Sequence, residues 1–164
     1  MTFTVNSTDF SDGDHLAIDH LLADTFGFGC SGGNHSPALS WSGAPDGTRS
    51  FAVTCYEPDA PTGSGFWHWI LLNLPAGTNE LAGGAGSGPG LPGGALQVVN
   101  DFGTVGYGGP CPPPGHGPHR YQFTVHALAV EALPVDATTP QAVARFQLHA
   151  NPTATASIMG RCER

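Results

Sequence analysis

Lysine is absent from this sequence of 164 residues, and its five basic residues are all arginine. A P-loop and a Schiff-base mechanism both depend on a lysine, so the sequence excludes both. Thirteen acidic residues outweigh the arginines and leave a formal net charge of -8 at pH 7. Nucleic acid is therefore not an expected partner, because contacts to phosphates require a basic patch.

Long apolar stretches are also missing from the sequence. No apolar run approaches the length of a transmembrane helix. Residues 1–7 lack the basic region and the apolar core of a signal peptide. An acidic protein is also repelled by anionic membrane surfaces. The sequence thus predicts a cytoplasmic protein without stable membrane insertion.

Charged residues are scarce, at 11 %, whereas glycine (24 residues) and proline (15 residues) are abundant. They separate short apolar and β-branched segments, a pattern typical of antiparallel strands. The Gly-rich residues 83–94 are expected to form a flexible surface loop. The length suits a single domain over residues 1–164. The predicted strands cover residues 3–6, 38–42, 50–56, 67–73, 97–100, 121–129 and 154–162.

Helix is predicted at one place and is ambiguous at another. Residues 139–150 are the best helix candidate, because Pro140 suits the first helical position and Thr138 or Thr139 can cap it. Residues 15–24 carry apolar residues at spacings that fit either a helical stripe or an extended segment. The family resemblance described below favours the extended form.

Two segments, residues 55–69 and 109–121, combine titratable side chains with several prolines. Proline fixes φ, so a loop that contains it loses less entropy when it orders around a ligand. If the two segments meet in space, they form a preorganised pocket for a small ligand. Their side chains of interest are Glu57, Asp59, His68, His116, His119, Arg120 and Tyr121.

These segments resemble the signature blocks of the phosphatidylethanolamine-binding protein family, which includes the Raf kinase inhibitor proteins. Residues 57–61, followed by Trp67 and His68, resemble its Asp-Pro-Asp-Ala-Pro block and Trp-His pair, with Glu57 in place of the usual Asp. Residues 109–121 resemble its Gly-Pro-Pro and His-Arg-Tyr block. The likeness covers nearly the whole chain and is nearest to the bacterial and archaeal branch. It implies a mainly β fold, an antiparallel β-sandwich with Greek-key-like connections and one or two short helices.

The resemblance also implies a pocket for a phosphate-like anion. Carboxylates beside an anion make sense if they orient and charge the histidines, whose imidazolium form offers two donors. A carboxylate can also accept from a ligand ammonium, as in phosphoethanolamine. Backbone N–H groups of Gly109 and residues 115–117 would add a nest around the anion. The residues expected to line the pocket are Glu57, Asp59, His68, Gly109, Pro113, His119 and Tyr121.

A binding or regulatory protein without a cofactor is thus expected, rather than an enzyme. By resemblance, the same surface would regulate or inhibit a kinase or a serine protease, and the bacterial branch suggests a homodimer. The alternative is a metal-dependent hydrolase in which His68, His116 and His119 combine with Glu57 and Asp59. His116 either forms part of the pocket rim or belongs only to its turn.

Several residues in the two segments also have structural interpretations. Asp59 follows a proline and is a turn residue in the simplest interpretation. Strand alternation points Arg120 away from the pocket, where it would form an ion pair or clamp a loop. Trp67 and Trp69 flank His68 and are expected to face opposite to it, into the core.

The four cysteines show no C-x-x-C spacing, so a structural zinc site has little support. Cys30 and Cys111 each lie in a Gly-rich loop near the two segments, and a disulfide between them is a hypothesis. The rarity of disulfides in the cytosol weighs against it. Cys55 lies in an apolar run and is expected to be buried.

Overall fold

The computed structural model describes residues 1–164 and is mainly β, with two antiparallel sheets packed face to face. This confirms the predicted fold class. The strands are β1 (Thr4–Asn6), β2 (Leu39–Ser42), β3 (Ser50–Glu57), β4 (Phe66–Pro75), β5 (Glu80–Leu81), β6 (Leu96–Gln97), β7 (His119–Leu128) and β8 (Pro152–Cys162). The α-helix is α1 (Gln141–Ala150), and short 3-10 helices cover Ile18–His20, Asp24–Phe26 and Ala85–Ser87.

The two sheets enclose the larger hydrophobic core. One sheet has the order β1-β2-β5 and the other the order β6-β4-β3-β7-β8. From the small sheet, Val5 and Trp41 point into the core, and the large sheet contributes alternate residues of β3 and β7 such as Val53 and Phe123. Because β3 lies between β4 and β7 with both faces covered, seven of its eight residues are buried.

A smaller core lies on the opposite face of the five-stranded sheet, beneath α1. Ala144 and Leu148 of the helix join Ala52 and Ile70 of the sheet. The helix begins one residue later than Pro140, which occupies the N-cap position without a side-chain cap. The hydroxyl of Thr139 instead accepts a hydrogen bond from the backbone N–H of Asp136, so the predicted threonine cap does not form.

Residues 15–24 form an extended segment around the 3-10 helix Ile18–His20, as the resemblance favoured. Leu16 and Leu22 are buried, but Ile18 is 69 % exposed, so no helical stripe forms. The predicted flexible loop at residues 83–94 contains the 3-10 helix Ala85–Ser87. It is anchored in part, because the N–H groups of Gly84 and Gly86 donate to the carbonyl oxygen and the hydroxyl of Ser36.

A disulfide joins Cys30 to Cys111 across 81 residues of sequence, which confirms that hypothesis. Arg164 reinforces the link, because its guanidinium donates to the carbonyl oxygens of Pro112 and Phe28. The loops on either side of the candidate site are therefore tied together.

No helix of the chain combines the length and the apolar character needed to cross a membrane.

Candidate functional site

Glu57, the last residue of β3, is the centre of a buried hydrogen-bonded cluster. Its Oε2 lies 2.8 Å from His68 Nε2, and its Oε1 lies 2.5 Å from His119 Nδ1. The Tyr121 hydroxyl donates to the same Oε1 at 3.1 Å. All four residues are at most 5 % exposed. The structure thus brings together four of the predicted site residues.

Strand pairing explains how β7 contributes to this cluster. β3 and β7 are antiparallel neighbours, and Tyr56 pairs with Gln122. The register therefore places Tyr121 beside Glu57, and the two-residue period of a strand places His119 on the same face.

A β-bulge adds His68 to that face. Cys55 pairs with Trp69 and Tyr56 pairs with Trp67, so His68 is the extra residue of β4 at this point. The bulge brings His68 to the same face as Trp69, which is buried in the core. The prediction that both tryptophans face away from His68 is thus wrong for Trp69. It holds for Trp67, which packs against Tyr56 on the other face.

Burial alone would raise the pKa of the Glu57 carboxyl group. Hydrogen bonding and the charge of His68, with hydrogen bonds from His119 and Tyr121, outweigh burial and lower that pKa below its usual value. Burial raises the pKa of Tyr121 well above its usual range, so its hydroxyl stays protonated and donates. Glu57 is therefore ionised at neutral pH.

The partners of His68 then define its charge. Its Nδ1 lies 2.6 Å from the Gly108 carbonyl oxygen, which only accepts hydrogen bonds. Its Nε2 faces the ionised Glu57, which also only accepts. Both ring nitrogens of His68 therefore face acceptors, which is the arrangement that an imidazolium cation paired with a carboxylate requires.

A cavity of about 190 Å³ opens above Glu57 and His68. Aromatic rings form much of its wall, since Phe102 lies 4.6 Å from Phe66 and 5.6 Å from Phe28 between ring centroids. The sequence did not point to Phe28 or Phe102, which lie outside both motifs. The full lining comprises Phe28, Glu57, Ala60, Pro61, Thr62, Phe66, His68, Phe102, Cys111, Pro112 and Pro113.

The cavity includes three of the predicted pocket residues: Glu57, His68 and Pro113. His119 and Tyr121 lie behind Glu57 and do not line the cavity. A larger surface depression of about 550 Å³ contains Asp9 and Asp19, but both carboxylates are exposed. We assign the candidate site to the smaller cavity because it alone contacts the buried charged cluster.

Asp59 faces Arg120 rather than the cavity. Asp59 Oδ2 accepts from the backbone N–H and the Nε of Arg120 at 2.8 and 3.0 Å, and Oδ1 accepts from Nη2 at 2.9 Å. The hydrogen bond from the Arg120 side chain is the main reason why the pKa of Asp59 is lowered. The predicted ion pair of Arg120 is confirmed, and it clamps the loop that follows β3 to the start of β7.

Three of the four backbone N–H groups predicted to form an anion nest, those of Gly109, Gly115 and His116, have acceptors within the protein, and that of Gly117 has none. That of Gly109 donates to Asn34 Oδ1 at 2.7 Å, and that of Gly115 donates to the Arg164 carbonyl oxygen at 2.8 Å. Phe28, Ala60 and Cys111 line the cavity and have N–H groups without an acceptor in the protein. His116 is exposed, with its ring centroid 5.6 Å from that of His119.

No group of three or more histidine, cysteine, aspartate or glutamate side chains is arranged to hold a metal ion. Glu57 already binds His68 and His119, and Asp59 binds Arg120. No observation in the structure therefore favours the metal-dependent hydrolase.

Comparisons with known proteins agree on one family. The model of the phosphatidylethanolamine-binding protein family matches residues 6–163. UPF0098 protein YbcL of Escherichia coli (strain K12) is 52 % identical over 158 residues, which cover 95 % of this chain and 85 % of the relative. UPF0098 protein YbhB of the same organism is 50 % identical over 153 residues, which cover 93 % of this chain and 94 % of the relative.

Solved structures match as well. The crystal structure of E. coli YbcL, a new member of the mammalian PEBP family, matches with a TM-score of 0.94 and 51 % identity, covering 99 % of this chain and 98 % of that one. Carboxypeptidase Y inhibitor, solved with its cognate proteinase, matches with a TM-score of 0.54 and 18 % identity, covering 98 % of this chain and 82 % of that one. The second match shows a shared fold only.

Proposed function

This chain belongs to the phosphatidylethanolamine-binding protein family, and we propose that it is a binding protein for a small phosphate-bearing ligand such as phosphoethanolamine. The ligand occupies the cavity above Glu57 and His68. The observation that supports this proposal is the buried carboxylate–imidazolium pair at the floor of an apolar cavity. A buried pair of this kind is costly to desolvate, and its presence at a cavity is typical of functional sites.

The size of the cavity limits the ligand to a small group. Pockets for drug-sized ligands measure about 300–1,000 Å³, whereas this cavity measures about 190 Å³. It accommodates a head group but not the acyl chains of a whole lipid. The rings of Phe28, Phe66 and Phe102 pack against the methylene groups of such a ligand.

The polar groups of the cavity suit a zwitterion. The N–H groups of Ala60 and Cys111 have no other acceptor and are available to phosphate oxygens. Glu57 Oε2 accepts from His68 alone, so it can also accept from a ligand ammonium. Donors for the phosphate and an acceptor for the amine thus lie in one cavity.

His119 lies behind the cavity floor. Its Nδ1 is bound to Glu57, while its Nε2 has no partner in the protein. If histidine charge drives capture of the phosphate, affinity should fall as the pH rises from about 5.5 to 8.5, once ionisation of the phosphate itself is allowed for.

Calorimetric titration of phosphoethanolamine tests this proposal, in phosphate-free buffer with a chelator. We expect saturable binding by the wild type and roughly tenfold weaker binding by His119→Ala, because this variant removes a hydrogen bond that orients Glu57 at the cavity floor. His149→Ala, on α1 beyond the other face of the sheet, is the control and should bind like the wild type. Absence of wild-type binding, or equal binding by all three proteins, would contradict the proposal.

The kinase or serine protease partner and the homodimer stay predictions from the family. Phe28 is 57 % exposed at the mouth of the cavity and offers a protein partner an apolar contact. A pull-down from native lysate that recovers neither a kinase nor a protease would count against such a role.

The cytoplasmic location also stays a prediction, and the disulfide argues against it. Disulfides such as Cys30–Cys111 persist mainly in oxidising compartments. Labelling with a thiol reagent, after cells are quenched in acid and their protein is denatured, distinguishes a cytoplasmic location from an oxidising compartment. Labelling of Cys55 and Cys162 alone indicates an oxidising compartment, and labelling of all four cysteines indicates the cytoplasm.

A further inference from the structure

Asn34 connects the loop before β2 to the segment that lies beside the candidate cavity. It adopts a left-handed backbone conformation, with φ 54°. Its Nδ2 donates to the Tyr107 carbonyl oxygen at 3.2 Å, and its Oδ1 accepts from the Gly109 N–H at 2.7 Å. One side chain thus holds the chain on both sides of Gly108.

Gly108 is the residue that contacts His68. Its carbonyl oxygen accepts from His68 Nδ1 at 2.6 Å, and its N–H donates to the His68 carbonyl oxygen at 2.9 Å. A Cβ on residue 108 would lie 2.5 Å from the ring of Phe102, so any other residue here would displace that ring. The position of this carbonyl decides whether Nδ1 has an acceptor.

We propose that Asn34 is a positioning residue: by holding Tyr107 and Gly109, it aims the Gly108 carbonyl at His68 and thereby keeps His68 doubly protonated. The chain of contacts runs from Asn34 through Gly108 to His68 and ends at Glu57. Only the expected change in ligand affinity rests on the proposed function, because the protonation of His68 is measured without ligand.

The other groups packed around His68 cannot take over this role. Glu57 faces the opposite ring nitrogen, and Tyr121 and His119 both donate to Glu57. Cys162 of β8 pairs with His119 rather than with His68. Without the Gly108 carbonyl, Nδ1 has no acceptor, and the neutral tautomer with a single proton on Nε2 becomes favourable.

Asn34→Gly is the decisive variant, because glycine adopts positive φ without strain and removes only the two side-chain hydrogen bonds. Asn73→Gly is the matched control. Asn73 also has positive φ, at 60°, and its Oδ1 accepts from the Leu133 N–H at 2.8 Å, away from the cavity. Asn34→Asp keeps an acceptor for Gly109 but cannot donate to Tyr107, so it gives a milder variant if the glycine variant folds poorly.

Long-range proton–nitrogen NMR of the ring nitrogens, without ligand at pH 7, reads the protonation of His68 directly. We expect the doubly protonated fraction of His68 to fall by roughly half or more in Asn34→Gly, because the cation loses a hydrogen-bond acceptor. It should fall less in Asn34→Asp and stay unchanged in Asn73→Gly. A wild-type His68 spectrum in both folded Asn34 variants would overturn the proposal.

Titration of phosphoethanolamine separates this inference from the proposed function. A changed His68 spectrum together with about tenfold weaker binding in Asn34→Gly supports both. A changed spectrum in Asn34→Gly without saturable binding by the wild type supports the positioning role and contradicts the proposed ligand.

Discussion

His68 and His126 are both buried in the five-stranded sheet, at 2 % and 5 % exposure, yet their surroundings favour different charges. His68 lies between the Glu57 carboxylate and the Gly108 carbonyl, so both of its nitrogens donate. His126 lies on the opposite face, where its Nε2 meets the Thr54 hydroxyl at 3.0 Å. Burial is similar at the two sites, so the hydrogen-bond partners decide the charge.

The surroundings of His126 keep it neutral. Burial, and then the charge of His149 on α1, lower the pKa of His126 from 6.5 to about 4. The two ring centroids lie 6.0 Å apart. Of these two histidines, only His68 has a carboxylate buried beside it, and that carboxylate lies at the wall of a cavity.

Of the three changes, Glu57→Gln should lower the free energy of unfolding most. It removes the carboxylate and leaves donors on His68, His119 and Tyr121 that were directed at a negative charge. Loss of one partner of a buried ion pair costs about 3–5 kcal/mol, so the free energy of unfolding in urea should fall by about that amount. Glu131→Gln, which breaks the exposed pair with Arg49, is the control and should cost far less. Equal losses in the two variants would show that the buried charge does not stabilise the fold.

The second prediction concerns pH and His126. Its folded pKa lies below the unfolded value of 6.5, so the unfolded chain binds more protons and stability falls as the pH drops from about 6.5 towards 4. Between pH 7 and 5 the free energy of unfolding should fall by about 2 kcal/mol. This is because pH 5 lies roughly 1.5 pH units below the unfolded pKa, and each unit is worth about 1.4 kcal/mol. Because the pKa of Glu57 is also lowered, its contribution is lost only at lower pH, below the unfolded value of 4.5.

His126→Gln isolates this contribution, since glutamine remains neutral and can still hydrogen-bond to Thr54. Urea unfolding of the wild type and the variant at pH 7 and 5 measures it. The wild type should lose more stability than the variant on acidification, and parallel losses would rule out a neutral His126.

Asp59→Asn should lower the free energy of unfolding least. It breaks the ion pair with Arg120, which is hydrogen-bonded like the Glu57–His68 pair but has its arginine largely in water. Solvent screens this pair, so the urea midpoint should shift about as little as in Glu131→Gln. A shift as large as that of Glu57→Gln would show that burial is not what distinguishes the two pairs.

Local pattern was enough to predict the strands that carry the site. Alternation in residues 121–129 and the apolar run 50–56 predicted β7 and β3 to within two residues at each end. The two-residue β5 was not predicted, because its short sequence carries no periodicity and it exists only through pairing with β2. The disulfide between Cys30 and Cys111 was only a hypothesis from the sequence, based on their Gly-rich loops near the two segments, and the structure confirms it.

The cavity itself depends on contacts that no local pattern encodes. The bulge at His68 follows from the register between β3 and β4, and it reversed the predicted direction of Trp69. Phe102 and Asn34 lie outside both motifs and reach the site only through loop packing. Asp59 matched the motif, yet Arg120, the neighbour of His119 in the other motif, occupies both of its oxygens.

One long-range proton–nitrogen NMR spectrum of the histidine rings at pH 7 compares the two histidines most directly. We expect protons on both nitrogens of His68 and on only one nitrogen of His126. A single proton on His68 would mean that Glu57 does not hold a cation at the cavity floor.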